Sequence, residues 1–138
     1  MSKIYKDKVS DEWFFSNDSY ILSETDSRGI IVYVNDLFCE IAGYTASELI
    51  GQPHNIVRHT DMPRIAFKGL WHDIATKGFW NGIVKNRRKD GGFYWVDATA
   101  LRKTNSDGTF TYLSIRRVPD RQQVTSCISL YADLKSSE

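Results

Sequence analysis

Cysteine is scarce in this chain. Cys39 and Cys127 stand far apart with no further cysteine beside either, which fits neither a disulfide framework nor a zinc site, and both read as ordinary reduced thiols. Net charge is missing too. With 18 Lys and Arg against 17 Asp and Glu, no global field would draw the chain to nucleic acid or to an acidic membrane surface. Apolar runs such as 30–34 fall far short of the roughly 20 residues that cross a bilayer. Residues 1–10 alternate Lys and Asp and lack the apolar centre of a secretory signal, so a cytoplasmic location with no membrane insertion of this segment is expected. Catalytic signatures are absent as well: no Gly-x-Ser-x-Gly elbow, no His-Glu-x-x-His, no phosphate-binding Gly-Lys-Thr loop and no paired metal ligands. The chain is not expected to be an enzyme.

What remains is an ordinary globular composition, 41% hydrophobic and 25% charged over 138 residues, enough for one core and too little for two. Trp13-Phe14-Phe15 forms an apolar cluster inside a polar opening segment, a flank that docks, most simply on the domain's own sheet. Stretches 20–24 and 29–35 read as short strands around the turn formers at 26–29. Asn35 or Asp36 can cap a helix carrying Leu37, Phe38, Ile41 and Ala42, ended by Gly43. Thr45 and Glu48 have capping-box spacing, and Pro63 opens a longer helix with Ile65, Ala66, Leu70 and Ile74, ending near Gly78. From Trp80 the period becomes two, and 80–89, 93–103 and 109–118 read as strands joined by Asp90-Gly91-Gly92 and Asn105-Ser106-Asp107-Gly108. The order predicts an α+β domain: a five-stranded antiparallel sheet with short helices packed on one face. Three parts are expected, a flanking cap over 1–18, a core over 19–119, and an amphipathic helix or linker over 120–138 with Val124, Ile128, Tyr131 and Leu134 on one side.

That order, together with Asn35-Asp36, Gly43-Tyr44-Thr45, Glu48-Leu49-Ile50-Gly51 and Lys89-Asp90-Gly91, resembles the PAS fold. Residues 51–63, with Gly51-Gln52-Pro53-His54-Asn55 and Arg58-His59-Thr60-Asp61, resemble the aerotaxis-receptor branch of that family, as do Trp80-Asn81-Gly82 and Tyr94-Trp95-Val96 in the later strands. The branch usually carries Pro where Thr60 stands, so the loop there loses a rigid link. The resemblance implies FAD held without a covalent bond and a role in redox or oxygen sensing, as in aerotaxis. The partner would be a downstream signalling domain or chemotaxis protein, and a homodimer is compatible with this reading.

A flavin needs a flat apolar slot, hydrogen bonds along its polar ring edge, and positive charge for its diphosphate. The resemblance places Trp80 against the ring and assigns Arg58, His59 and Asp61 to FAD binding; Asn35 and Asn86 are candidate hydrogen-bond partners by residue type. Tyr44, Phe67, Leu70, Ile83, Val84 and Ile115 are the expected lining. Neighbours Tyr94 and Trp95 must point to opposite sheet faces, and the sequence leaves open which points inward. Taken without the resemblance, Trp80 is sheet core, the Arg58-His59-Asp61 group is a surface ion pair or cap, and the basic run at 85–89 is a solvated edge. Three rivals share the fold. Blue-light adduct chemistry wants a thiol near 55–59, where there is none; a haem sensor wants an axial His, for which His72 is the candidate; an empty module serves only dimerisation.

Overall fold

The computed structural model describes residues 4–138. Within them a small hairpin comes first, β1 (Ile4–Lys6) against β2 (Trp13–Phe15). β3 (Ile21–Thr25) and β4 (Ile31–Val34) follow, their turn organised by the Asp26 carboxylate, which accepts from the backbone N–H of Arg28 at 2.9 Å and of Ile30 at 3.1 Å. The helical layer comprises α1 (Asp36–Ala42), α2 (Ala46–Leu49), a 3-10 turn (His54–Val57) and α3 (Arg64–Lys77). Three long strands, β5 (Phe79–Arg87), β6 (Phe93–Thr104) and β7 (Phe110–Arg117), precede α4 (Arg121–Ser136). The strands join as β4-β3-β7-β6-β5, all antiparallel, each beginning and ending within two residues of the position read from sequence.

Alternation settles the two faces. Val84, Tyr94, Val96 and Ala98 face the helical layer and join Phe38, Ile41, Leu49 and Val57 in the main core. Ile83 and Trp95 face the other way and form a second cluster with Val124. So Tyr94 points in and Trp95 points out.

α4 is what covers that outward pair. Trp95 and Tyr131 stack at 6.3 Å with 18° between planes, and the Tyr131 hydroxyl donates to the Ile83 carbonyl at 2.6 Å. The inward stripe corrects the sequence reading, because Ile128 is exposed and Cys127 takes its place beside Val124 and Tyr131. On a straight helix, positions 124, 127 and 131 share one stripe, and 128 falls outside the strip that α4 presses onto two strands. The N-terminal hairpin is tied to the same helix. Glu12, buried, accepts from Arg121 Nη1 at 2.7 Å and Nη2 at 3.0 Å, a bidentate pair across the chain's two flanks. Gly92 permits this approach, since a Cβ there would stand 2.9 Å from the Asp11 carbonyl oxygen.

Tyr131→Phe removes the hydroxyl from α4 and keeps its stacked ring. We expect a loss of about 1 kcal/mol and faster amide exchange across α4 with β6 protection unchanged; equal exchange in both proteins would show that the bond to Ile83 does not hold the helix.

Candidate functional site

α3 carries Phe67, Leu70, Trp71 and Ile74 at helical spacing, yet Ile74 alone among its 14 residues is fully buried. The helix stands off the sheet. Opposite it the inner face offers small side chains, Ala98 and Ala100 on β6 and Ser114 on β7, so a cavity of about 320 Å³ remains between the layers. That is at the lower end of the range for small-molecule sites. Its walls include Phe67, Ile74, Trp80, Val84 and Val96, with Asn86 and three arginines, Arg28, Arg58 and Arg116; no Asp or Glu lines it.

Arg116 dominates the polar wall. It is 2% exposed, and burial pushes its pKa down to about 10, which still leaves it charged at neutral pH. Nη1 donates to Ser114 Oγ at 3.0 Å and to His54 Nε2 at 3.0 Å, and Nη2 donates to Ser23 Oγ at 2.8 Å. The guanidinium sits 4.6 Å from the Phe38 ring centroid, and its Nε has no hydrogen-bond partner among the described residues. A guanidinium only donates, so His54 Nε2 must accept and the imidazole is neutral, its proton on Nδ1. Desolvation, then the Arg116 charge, push the His54 pKa down to about 3. Among the described residues, neither Arg116 nor Arg58 forms an ion pair with a carboxylate; Arg58 lies 3.9 Å over the Phe67 ring. Arg28 is already matched by Asp26 at 2.8 Å.

Asn86 is buried on β5, hydrogen-bonds the Tyr94 side chain, and pairs through its backbone with Arg58. Burial raises the Tyr94 phenol to about 12, so it stays protonated. Trp80 lies along the strand over Gly82, where a Cβ would meet the indole Cζ2 at 2.4 Å and Cη2 at 2.6 Å. A glycine at 82 therefore sets where the Trp80 ring rests.

Of the seven residues singled out from the sequence, Arg58, Trp80 and Asn86 line the cavity. The other four sit elsewhere. Asn35 is used up as a tie: Oδ1 accepts from Leu22 N at 3.1 Å and Phe38 N at 3.1 Å, and Nδ2 donates to the Tyr20 carbonyl at 2.9 Å. Tyr44 packs against the core beneath Lys89. Asp61 pairs with Lys85 at 2.8 Å and His59 lies against Phe93, because Lys85 alternates with Asn86 and so projects to the outer side of β5. Ile83 is displaced from the lining for the same reason, and Ile115 lies opposite Ser114 and Arg116 in the alternation of β7. Ser23, His54 and Arg116 were missed. His54 stood inside the quoted motif, but a lone His and a strand Arg 62 positions later give no joint signal before folding.

Gly82→Ala is expected to push the Trp80 indole off the strand and into the cavity, at an overpacking cost of about 1–3 kcal/mol. Near-UV circular dichroism should change while far-UV is kept, and the change should vanish in a Trp80→Phe background. An unaltered near-UV spectrum would mean the ring is not held over position 82.

Comparison with known proteins agrees with this architecture. A family model described as the PAS fold matches residues 31–115. The chain is 40% identical over 121 residues to the aerotaxis receptor of Escherichia coli K12, covering 88% of this chain and 24% of that protein. It is 32% identical over 100 residues to the nitrogen fixation regulatory protein of Klebsiella oxytoca, covering 72% of this chain and 20% of that protein. Thus it spans about a quarter or less of the length of these relatives. Among solved structures, the PAS domain of a Colwellia psychrerythraea protein superposes with a TM-score of 0.66 at 21% identity, covering 74% of this chain and 87% of that one. A light-oxygen-voltage domain studied with a flavin analogue gives 0.69 at 18% identity, covering 83% and 89%. On the matched family model and the shared sheet order, the chain belongs to the PAS fold family.

Proposed function

We propose that this PAS domain binds FAD non-covalently in the cavity between α3 and the sheet and passes the redox state of that flavin, set by oxygen or respiration, to a downstream signalling domain or chemotaxis partner. One observation carries the reading: an aromatic-walled slot with no carboxylate in its lining, where Arg58 and Arg116 have no acidic partner among the described residues and Arg116 is buried with an unpartnered Nε. Such a wall lacks the negative charge that the occupant would bring. The names of the E. coli aerotaxis receptor and the light-oxygen-voltage structure point the same way.

The residues fit the group's parts. Phe67, Trp80, Val84 and Val96 would hold the flat ring, Arg116 and Asn86 its polar edge, and Arg58 its diphosphate. Bound flavin would supply the electron acceptor that this chain's side chains lack. What the chain contributes is discrimination between two states of its occupant. The Asn86 amide presents either a donor or an acceptor, whereas Arg116 presents donors alone and so favours whichever state carries more negative charge. A ligand shifts a conformational equilibrium only through such differential contacts. Asn86 faces the cavity and Lys85 the outer side, where Lys85 touches Asp61 and lies over the Phe93 and Trp95 rings. A rotation of β5 at Asn86 would therefore reach the surface that α4 covers. No catalytic turnover is assigned to the domain.

The haem alternative has no free imidazole in the lining: His72 is exposed on α3, and His54 Nε2 is engaged by Arg116 and Ser23. The test is an absorbance spectrum of the purified protein, repeated after reconstitution with FAD and with haem. Flavin bands at one equivalent are expected; a Soret band, or no binding of either compound, would overturn the reading.

A further inference from the structure

We propose that the domain holds a second small-molecule site, between the N-terminal hairpin and the outer face of the sheet, which takes a neutral, benzene-sized aromatic molecule. A gap of about 150 Å³ lies there, and no residue of its wall also lines the cavity under α3. The site is therefore independent of the flavin reading.

Three segments build the wall. β2 supplies Trp13, Phe14 and Phe15, β6 supplies Trp95, and the link from β7 to α4 supplies Val118 and Pro119. Folded interiors keep few voids larger than a water molecule, because neighbouring side chains relax into them where they can. Here the rings are held from outside. The Arg88 guanidinium lies 3.8 Å from the Trp13 ring centroid, Phe14 stacks on Tyr5 at 5.3 Å, Trp95 stacks on Tyr131 at 6.3 Å, and Phe15 belongs to the main core. Arg88, Tyr5 and Tyr131 do not line the gap, so the groups that brace these rings leave the space between them open.

The wall also selects by charge. Its two ionisable residues, Glu12 and Arg121, answer each other through bonds of 2.7 and 3.0 Å, so an ion entering the gap would give up its hydration and meet no free counter-charge in the lining. The occupant is thus neutral. Trp13, Phe14 and Trp95 reward a flat ring, since stacked and edge-to-face aromatic contacts gain more than the area they bury. Size completes the assignment, because an apolar cavity of about 150 Å³ is enough to hold benzene. The wall joins the hairpin to the first turn of α4, so an occupant would hold both flanks against Trp95 and oppose their release.

The four tryptophans make the site testable, since Trp13 and Trp95 line this gap while Trp71 and Trp80 line the cavity under α3. Their indole N–H resonances report which space is filled. The isotope-labelled full chain is titrated with benzene and with benzoate, and the benzene titration is repeated on Val118→Phe and Val118→Leu. We expect saturable benzene shifts at Trp13 and Trp95, and benzoate weaker there by about tenfold or more. Val118→Phe, which fills the gap, should lower benzene affinity about tenfold or more, and Val118→Leu should lower it less. Thermal melts establish that each variant is folded, and Val118→Leu decides the matter should Val118→Phe not fold. Benzene shifts confined to Trp71 and Trp80, benzoate bound as tightly as benzene, or benzene affinity unchanged in the folded Val118 variants would overturn the proposal.

Discussion

A guanidinium buried in a cavity wall, without a carboxylate among the described residues to answer it, is the constraint on which the rest of this domain turns. Moving an ion out of water carries an effective penalty of several kcal/mol even after relaxation. Here it is offset only by neutral groups: the hydroxyls of Ser23 and Ser114, the imidazole of His54, and the face of Phe38. Each of these residues is placed to serve Arg116. Ser23 and Ser114 are paired neighbours on β3 and β7, and His54 is held neutral first by its burial and then by the charge it helps to solvate. The compensation is incomplete, since Nε remains without an acceptor among the described residues. A wall built this way is better completed by an anionic or strongly polarised occupant than by another apolar group.

The void and its outlet follow from packing. α3 withholds its apolar stripe from the sheet, and Ala98, Ala100 and Ser114 withdraw opposite it, so an aromatic-lined gap survives where a helix would ordinarily close down. β5 forms one edge of that gap and of the sheet. Strand alternation makes it a two-sided element: Trp80, Val84 and Asn86 look inward, while Ile83 and Lys85 meet α4, Trp95 and Asp61 outside. A change in the gap thus has a one-residue path to the flank.

Local grammar was legible in the sequence. Asn35 caps α1, Thr45 and Glu48 form their capping box, and Gly78 ends α3, because each signal needs only a few adjacent residues. Face assignment was not. Phe93, Tyr94, Trp95 and Val96 are all apolar or aromatic, so alternation gives two equivalent choices until α4 claims Trp95. Asn35 shows the cost of reading a polar residue by type, since an amide suited to a cofactor edge is consumed by a cap and a strand tie. Arg116 shows the converse. On β7 the apolar Ile115 faces outward and the charged Arg116 inward, the reverse of the usual alternation, and only folding brings His54 and Ser23 to it.

The most direct test replaces the charge and keeps the bulk, with Arg116→Met. Apo-protein melting and FAD affinity are measured together. If the buried cation awaits its partner from the ligand, the variant's apo-form melts at or above the native temperature while FAD affinity falls about tenfold or more, a loss near 1.4 kcal/mol or greater. A destabilised apo-form with unchanged affinity per folded molecule would contradict the account, making Arg116 a structural residue and removing the charge argument for the site.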